Sequence, residues 1–508
     1  MFSKILVANR GEIAVRVIRA CQEMGIKTVA IYSDVDKDLP HVQLADEAVA
    51  LGPPSPAESY LNISKILKIA EETGAEAIHP GYGFLSENPD FAEECEKRGI
   101  VFIGPPSEVI AKMGSKIFAK SLMEKSGVPV IPGYHGEEQD MDFLIKKGEE
   151  IGFPLLVKAS AGGGGKGMRI VHQKKFLKGA IEAAKRESLS SFGDDTVFLE
   201  KYLEEPRHIE FQILADNYGH TIHLFERECS IQRRHQKIIE ETPSPALTPE
   251  IREKMGEAAV RAAKAVGYRN AGTVEFMFSK GKFYFMEMNT RLQVEHPITE
   301  AVTGIDLVKW QIRIAAGERL SLRQEDLTQR GHAIECRIYA EDPEKNFMPC
   351  TGKITSISLP FGTNVRHDIG IENGNEITSY YDPMISKLIV HGENREDAIE
   401  KMLWALSNYV ALGVTTNISF LKAVLQHPEF RKGNISTHFI QNHMREWKLT
   451  KDSLPLEVLV AAALHDMIGE RAEGEAAGGS EMLSFGDVHS PWKTLGKWRI
   501  AEHKKEGN

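Results

Sequence analysis

The first 112 residues alternate short apolar runs with amphipathic segments, and this pattern limits the fold more than any other part of the sequence. The apolar runs predict strands, and the segments between them have helical spacing. Strands are expected at 5–8, 28–32, 77–79 and 101–103, and helices at 12–24, 64–72 and 90–97. Such alternation is typical of a parallel, doubly wound sheet with helices on both faces. The turn at 9–11 is not Gly-x-Gly-x-x-Gly, so it does not predict a dinucleotide site.

The pattern changes twice after residue 112, as expected for a chain of 508 residues, which is too long for one core. The middle part predicts helices at 115–126 and 249–266 and strands at 155–159, 196–200, 209–215, 221–227, 273–278 and 282–286. The last part is mainly β-type, with strands at 333–339, 353–359 and 386–390 and a helix at 396–406. We therefore expect three domains: a Rossmann-like α/β domain at 1–112, a central domain at 113–330 with a lid at about 130–204, and a β-rich α+β domain at 331–446. A tail follows at 447–508. Its polar, glycine-rich part at about 470–481 is expected to be a flexible linker.

Composition excludes several classes of protein. The net charge of −10 offers no basic surplus for binding nucleic acid. The five cysteines are scattered and form no Cys-x-x-Cys, which favours a reducing compartment over a disulfide framework or a zinc site. No apolar run is long enough to span a membrane, and the N-terminus has no cleavable signal pattern. We expect a soluble, cytoplasmic protein.

A glycine tract at 162–167 follows a predicted strand that ends near Lys158. Backbone N–H groups of successive glycines can surround phosphate oxygens, because no Cβ atoms crowd the approach. The tract lacks the Walker pattern Gly-x-x-x-x-Gly-Lys-Ser/Thr. It is either a plain flexible loop or a glycine-rich lid that closes over a nucleotide.

Two carboxylates, Glu275 and Glu287, lie in the middle of neighbouring apolar strands. A carboxylate is costly in such surroundings unless it is paired or bound to a metal. With Asn289 they supply the oxygen ligands that Mg²⁺ or Mn²⁺ prefers. The alternative is structural ion pairing.

The segment 287–296 carries an unusual density of polar groups directly after a buried strand. In an extended chain Glu287, Asn289 and Arg291 point to one face. Lys237 belongs to the basic run at 232–237. We expect Lys237 and Arg291 to hold a small anion together, with Glu295 near enough to deprotonate it. The alternatives are a surface loop with a salt bridge and a basic surface patch.

Residues 1 to about 445 resemble biotin carboxylase, the ATP-grasp component of acetyl-CoA, propionyl-CoA and pyruvate carboxylases. The matching stretches are 8–14, 79–88, 158–168, 233–237 and 287–297. The resemblance implies an ATP-grasp central domain whose glycine-rich lid closes over ATP. It implies that two divalent ions, Mg²⁺ or Mn²⁺, are held by Glu275 and Glu287 with help from Asn289.

The resemblance also assigns the substrate contacts. ATP is expected to contact Lys116, Lys158, Gly163, Gly164, Gly165, Lys166, Gly167, Met168, Glu200, Lys201, Leu203, His208, Gln232, His235 and Glu275. Bicarbonate is expected to rest on Lys237, Arg291, Gln293, the Val294 backbone and Glu295. Biotin is expected beside Tyr82 and Arg337.

The implied mechanism uses four catalytic residues: Glu295, Arg291, Lys237 and Arg337. Glu295 removes the proton of bicarbonate, and the anion attacks the γ-phosphate of ATP to give carboxyphosphate. Phosphate from its breakdown takes the N1′ proton of biotin, and Arg337 stabilises the biotin enolate. Arg291 is the cation most open to a mutational test.

The sequence departs from the family in two places. Thr437 stands where the nucleotide pocket often has an isoleucine. The chain also lacks Ala/Val-Met-Lys-Met, the motif that accepts biotin. We therefore expect a biotin carboxyl carrier protein and a carboxyltransferase on separate chains, a homodimer as in the family, and acetyl-CoA or pyruvate as the final acceptor. The tryptophan-containing tail is expected to dock a partner. The rival functions are another ATP-grasp ligase, such as a carbamoyl-phosphate synthetase, and a non-catalytic scaffold.

Overall fold

The computed structural model describes residues 1–160, 168–234, 236–449, 456 and 458–464. The chain divides into two compact units, 1–449 and 450–508. In the second unit the described residues, 456 and 458–464, are helical. The expected linker at 470–481 and the glycine tract at 162–167 lie outside the described residues. None of the described helices is long and apolar enough to cross a membrane.

The first part of unit one is the predicted α/β layer. Its elements are β1 (Lys4–Val7), α1 (Gly11–Glu23), β2 (Lys27–Ser33), α2 (Pro40–Leu44), β3 (Glu47–Gly52), α3 (Ile63–Thr73), β4 (Ala77–His79), α4 (Pro89–Lys97) and β5 (Val101–Phe102). The five strands form a parallel sheet in the order β3-β2-β1-β4-β5. Asn62 and Asn88 cap the starts of α3 and α4 with their side-chain oxygens. The predicted doubly wound sheet is confirmed, and β3 was missed because its alternating residues are mostly exposed.

The middle part contains a small sheet and most of a large one. Its elements are α5 (Ser107–Gly114), α6 (Lys116–Lys125), β6 (Gly133–Tyr134), α7 (Met141–Ile151), β7 (Leu155–Ala159), β8 (Arg169–Val171), α8 (Leu177–Phe192), β9 (Val197–Lys201), β10 (Arg207–Ala215), β11 (Thr221–Arg233), β12 (Gln236–Thr242), α9 (Pro249–Val266), β13 (Asn270–Ser279), β14 (Lys282–Asn289), α10 (His296–Thr303) and α11 (Leu307–Ala315). The small sheet has the order β6-β9-β7-β8, and α7 and α8 pack on it through Leu144, Leu177 and Ile181.

The last part of unit one mixes short strands with helices. Its elements are β15 (His332–Tyr339), β16 (Glu341–Asp342), β17 (Met348–Pro349), β18 (Gly352–Lys353), β19 (Ser356–Ser358), β20 (Val365–Ile369), β21 (Glu376–Ile377), β22 (Met384–Gly392), α12 (Arg395–Asn408), β23 (Val410–Leu412), α13 (Ile418–Gln426), α14 (Pro428–Arg431) and α15 (Phe439–His443). The β-type segment expected at 353–359 forms parts of two short strands. Its backbone changes partners, since β18 pairs with β21 and β19 pairs with β23.

One sheet of eight strands runs through the middle and last parts, in the order β14-β13-β10-β11-β12-β15-β22-β20. The strand pair β12–β15 continues this sheet across the boundary expected at residue 330. The expected domain limits therefore stay predictions.

Gly370 brings the last part of unit one against the first. A Cβ atom on Gly370 would lie 2.2 Å from the backbone nitrogen of Glu12, so only glycine fits this approach. The start of α1 is thereby held close to the last strands of the large sheet.

Candidate active site

A cavity of about 1220 Å³ opens between the first sheet, the small sheet and the large sheet. Most of the residues predicted for the site line it: Tyr82, Lys116, Lys158, Met168, Lys201, Leu203, His208, Gln232, Lys237, Glu275, Glu287, Asn289, Arg291, Gln293, Val294, Arg337 and Thr437. The cavity therefore brings together segments that are far apart in the sequence.

A row of charged side chains crosses four strands of the large sheet. Arg227 on β11 lies opposite Glu210 on β10, Glu210 lies opposite Glu275 on β13, and Glu275 lies opposite Glu287 on β14. Directly opposed residues of antiparallel strands share a face of the sheet. The fully buried Arg227 donates to Glu210 at 2.6 Å, which balances one carboxylate of the row.

Lys237 lies at the centre of the site. Its ammonium group donates to Glu210 at 2.6 Å, to Glu275 at 2.9 Å and to Glu295 at 2.6 Å. Burial disfavours the charged ammonium, but the three carboxylates outweigh burial and raise the pKa of Lys237 well above its ordinary value. Lys237 is therefore a fixed cation over the pH range in which proteins are stable.

Glu295 is fully buried and does not itself line the cavity, but its two cationic partners, Lys237 and Arg337, do. Its second oxygen accepts from Arg337 at 3.0 Å, and Arg337 also donates to Glu240 at 2.6 Å. Burial raises the pKa of Glu295, yet Lys237 and Arg337 more than offset it and hold the pKa well below its ordinary value. Glu295 is thus an ionised carboxylate behind two cations.

Glu275 and Glu287 face each other across β13 and β14 as the sequence predicts. Burial raises the pKa of Glu287, and the charge of Glu275 raises it further. The nearest cation to Glu287 among the described residues is Lys116, whose Nζ lies 3.8 Å from its carboxylate. Asn289 donates to Glu275 at 2.9 Å, which places its amide beside that carboxylate. Two opposed carboxylates with an adjacent amide oxygen fit a hard divalent cation, since such an ion removes their mutual repulsion.

Two other groups of possible metal ligands among the described residues share Glu210, one with His208 and Glu275 and one with Cys229 and Glu295. The Lys237 ammonium contacts a carboxylate of each group. Every carboxylate of these two groups is therefore already paired with Lys237. The Glu275–Glu287 pair differs because Glu287 has only Lys116 nearby, at 3.8 Å, so this pair is the better candidate for a metal.

Glu200 organises the end of the cavity beside the small sheet without lining it. This fully buried carboxylate accepts from Lys120 and, at 2.6 Å, from Lys158. Burial raises the pKa of Glu200, but the two lysines outweigh burial and lower it well below its ordinary value. Glu200 thus fixes Lys158 near the end of β7, in the wall of the cavity.

Arg291 and the segment after β14 form the opposite wall. Arg291 donates to Glu87 at 2.9 Å, to Asn289 at 3.1 Å and to Gln293 at 3.1 Å. Gln293 in turn donates to Glu275 at 3.1 Å. The predicted anion-binding residues are therefore joined in one network.

His208 and Tyr82 complete the predicted set. The imidazole of His208 lies 2.7 Å from the Gln232 amide nitrogen and 3.0 Å from the Glu275 carboxylate. The Tyr82 hydroxyl is buried and has no hydrogen-bond partner among the described residues, so it is a free polar group in the cavity wall. Gly163, Gly164, Gly165, Lys166, Gly167 and His235 lie outside the described residues.

Several functional neighbours were missed by the sequence analysis: Glu87, Lys120, Arg227, Glu240 and Lys387. Lys120 had a usable signal, because it follows Lys116 by four residues on α6 and so shares its face. The others come from loops and strands that are brought to the site only by tertiary structure.

Comparison with known proteins identifies the class. The family described as "Biotin carboxylase, N-terminal domain" matches residues 1–110, "Carbamoyl-phosphate synthase L chain, ATP binding domain" matches 115–323, and "Biotin carboxylase C-terminal domain" matches 335–442. Together with the fold, these matches define an ATP-grasp enzyme.

Individual proteins agree. A pyruvate carboxylase subunit from Methanothermobacter thermautotrophicus is 58% identical over 445 residues, which cover 88% of this chain and 91% of that protein. The alpha subunit of methylcrotonoyl-CoA carboxylase from Dictyostelium discoideum is 51% identical over 506 residues, 99% of this chain and 71% of that protein. The biotin carboxylase domain of 2-oxoglutarate carboxylase from Hydrogenobacter thermophilus, solved with MgADP, ADP and bicarbonate, is 51% identical with a TM-score of 0.85, and the match covers 89% of this chain and all of that one.

The chain belongs to the biotin carboxylase family, as the sequence predicted, and it is an ATP-dependent ligase.

Proposed function

We propose that the chain carboxylates biotin on a separate carrier protein, using ATP and bicarbonate, as the first half-reaction of a biotin-dependent carboxylase. The observation that carries the proposal is the Lys237 centre. Its ammonium group lines the same cavity as Arg291 and Arg337 and joins Glu210, Glu275 and Glu295. Activation of a weak anionic nucleophile by a nucleotide requires a carboxylate, fixed cations and a pair of acids that can hold a metal ion, all close together.

The nucleotide occupies the wall between the small and large sheets. Lys116 and Lys158 face its phosphates as point charges, and Glu200 holds Lys158 in place. Leu203 and Thr437 line the same region and pack against the base. The residues from Gly163 to Gly167 remain proposed contacts of the phosphates.

Glu275 and Glu287, with Asn289, hold Mg²⁺, and the opposed carboxylates of β13 and β14 support this assignment. The ion supplies Lewis-acid neutralisation of charge on the nucleotide phosphates when it is bound. Burial raises the pKa of Glu275, but Lys237 and His208 outweigh burial, lower the pKa and keep the carboxylate ionised.

Bicarbonate rests on Arg291, Lys237, Gln293 and the Val294 backbone. A depressed pKa makes Glu295 a weak base while both its oxygens are held by Lys237 and Arg337. An arriving anion competes for the same two cations, so the carboxylate loses part of its stabilisation and its basicity rises. Glu295 then takes the bicarbonate proton, and the resulting oxygen attacks the γ-phosphorus, with ADP as the leaving group and carboxyphosphate as the product.

Biotin binds beside Tyr82 and Arg337. Carboxyphosphate breaks its C–O bond to give CO₂ and phosphate, and the phosphate oxygen accepts the N1′ proton. Arg337 stabilises the negative charge on the ureido oxygen, and the nitrogen then forms the new C–N bond to CO₂. Since Glu240 and Glu295 hold the guanidinium from two sides, its position is fixed before biotin arrives.

The experiment is an ATPase assay with bicarbonate, in which free biotin or ammonium is added. The proposal predicts phosphate release that depends on bicarbonate and rises with biotin, together with formation of carboxybiotin. Stimulation by ammonium with no effect of biotin would favour a carbamoyl-phosphate synthetase. Absence of bicarbonate-dependent hydrolysis would favour a scaffold.

The final acceptor is bound by the carboxyltransferase on another chain, and we propose that this acceptor is an acyl-CoA. The similarity to the methylcrotonoyl-CoA carboxylase subunit extends over 506 residues and includes the tail, whereas the similarity to the pyruvate carboxylase subunit covers 445. This difference in extent supports an acyl-CoA carboxylase partner. Pyruvate remains the second candidate, since the identity to that subunit is higher. Purification of the native complex, followed by assays with acetyl-CoA, methylcrotonoyl-CoA and pyruvate, distinguishes these acceptors.

We further propose a homodimer in complex with the biotin carrier protein and the carboxyltransferase. The dimer of the Hydrogenobacter thermophilus domain supports the first part. A reducing location such as the cytoplasm is supported by the five cysteines, all of which are free.

A further inference from the structure

Lys387 lies on β22 directly opposite Arg337 on β15, so both side chains project from the same face of the large sheet. Arg337 donates to the Glu295 side chain at 3.0 Å, and Lys387 donates to the backbone carbonyl of Val294 at 3.0 Å. One cross-strand pair therefore holds two successive residues of the proposed bicarbonate segment.

Lys387 is completely buried, a costly position for an ammonium group unless its charge is balanced. Its Nζ lies 3.1 Å from Glu12 on α1 and 3.6 Å from Asp368 on β20. Asp368 is also held by Arg366 at 2.9 Å, whereas no other described side chain donates to the Glu12 carboxylate. Lys387 therefore balances the charge of Glu12 and connects α1 to β22 of the large sheet.

The same ammonium lies 5.8 Å from the centre of the Tyr82 ring, within the range of a cation–π interaction. Tyr82, Val294 and Arg337 all line the cavity, but Lys387 does not. Lys387 thus contacts Val294 of the proposed bicarbonate site and Tyr82 of the proposed biotin site, but it does not line the cavity itself.

We propose that Lys387 is a positioning residue, which keeps the bicarbonate segment at 293–295 aligned with Tyr82 and Arg337 so that the activated carboxyl group reaches biotin. This role rests on the proposed function of those residues. Without the lysine the Val294 carbonyl loses its hydrogen-bond donor. The segment at 293–295 is then no longer fixed relative to Tyr82 and Arg337. A small misplacement of reacting groups then lets the activated intermediate be lost to water.

The test is Lys387→Met, which has similar length and no charge. The readouts are carboxybiotin formed per ATP hydrolysed, the KM for MgATP and the melting temperature. We expect the ratio of carboxybiotin to ATP to fall on the order of tenfold, because misaligned groups lose rate steeply. The KM for MgATP should stay close to that of the parent, since the contacts of Lys387 are with Glu12, Asp368, Tyr82 and Val294 and not with the nucleotide wall.

Two further variants separate positioning from stability. The double variant Glu12→Gln/Lys387→Met also removes the acid that the single change leaves buried and unpaired. It should therefore recover the melting temperature but not the ratio of carboxybiotin to ATP hydrolysed. It replaces the single variant in the test if that variant is unstable. Arg395→Met removes a cation from Glu241, which it contacts at 2.7 Å away from the cavity, so it should lower the melting temperature and leave the ratio unchanged.

If Lys387→Met or the double variant forms as much carboxybiotin per ATP hydrolysed as the parent does, Lys387 is not a positioning residue. A parent that forms no carboxybiotin contradicts the proposed function itself, and the role of Lys387 falls with it.

Discussion

Each of the three carboxylates around Lys237 has a second cationic or imidazole partner. Arg227 contacts Glu210, His208 contacts Glu275, and Arg337 contacts Glu295. Arg227 is fully buried, so only the partners of Glu275 and Glu295 line the cavity. Of these two acids, Glu275 belongs to the pair that we propose to hold Mg²⁺, which leaves Glu295 as our proposed carboxylate for proton transfer.

Glu295→Gln should reduce bicarbonate-dependent ATP cleavage on the order of 10²–10⁴-fold, the usual contribution of a general base. Nucleotide binding should persist, because no described contact of Glu295 involves the nucleotide wall. Steady-state phosphate release and calorimetric ADP binding measure the two effects. Glu241→Gln is the matched control, since Glu241 is equally buried and ionised but its partners, His332 and Arg395, do not line the cavity. Near-parental turnover of Glu295→Gln would remove it as the base.

Glu287→Gln should raise the Mg²⁺ concentration needed for half-maximal activity roughly ten- to a hundredfold, as is typical when support of a metal is weakened. The physical reason is loss of one of two opposed carboxylates on β13 and β14. A Mg²⁺ titration at saturating ATP measures the change, and Glu257→Gln on the exposed face of α9 is the control. An unchanged Mg²⁺ requirement would contradict the assignment of this acidic pair.

At the scale of elements, β12, β15 and α12 meet at a buried ion cluster. Glu241 on β12 accepts from His332 on β15 at 2.7 Å and from Arg395 on α12 at 2.7 Å. Burial raises the pKa of Glu241, but Arg395 and His332 outweigh burial and lower it from 4.5 to about 2. The cluster therefore stabilises the junction of helix and sheet only while Glu241 is ionised.

Acid should weaken this junction in a defined interval. Because the pKa of the folded state is the lower one, the stability from Glu241 is fully present above about pH 4.5 and is lost as pH falls toward 2. A shift of this size corresponds to about 3 kcal/mol. Glu241→Gln should remove most of this pH dependence, measured as melting temperature against pH. Parallel curves for parent and variant would contradict the role of Glu241.

The hairpin β13–β14 shows how far local sequence reaches. Its two strands are consecutive, so the pairing of Glu275 with Glu287 was predictable and is confirmed. The neighbour of β13 on its other side is β10, which comes more than fifty residues earlier. No local pattern gives that order, so the contact of Glu210 with Lys237 and the role of Arg227 were not predictable.

Lys387 and Glu87 illustrate the same limit. Both follow ordinary patterns, an apolar strand and a glycine-containing loop, and nothing in either pattern specifies a partner. Their contacts with Val294 and Arg291 arise because the large sheet and the first sheet close on one cavity. The chemistry of the site was readable from residue types, but the residues that hold it in place were not.

At the scale of the molecule, every described residue of the cavity lies within 1–449, the first compact unit. Deletion of residues 470–508 should therefore leave turnover of free biotin close to that of the parent. Assembly with the carboxyltransferase should weaken, since the tail is our proposed docking segment. Free-biotin kinetics and co-purification measure the two effects. Loss of free-biotin turnover would show that the tail serves the cavity instead.

The central claim is that bicarbonate is activated by direct transfer of the γ-phosphoryl group of ATP. Bicarbonate labelled with ¹⁸O tests it, since its attacking oxygen becomes the bridge of carboxyphosphate and stays with phosphorus when the C–O bond breaks. Mass spectrometry of the released phosphate should find one ¹⁸O atom per turnover. Phosphate free of label, released together with carboxybiotin, would contradict the account.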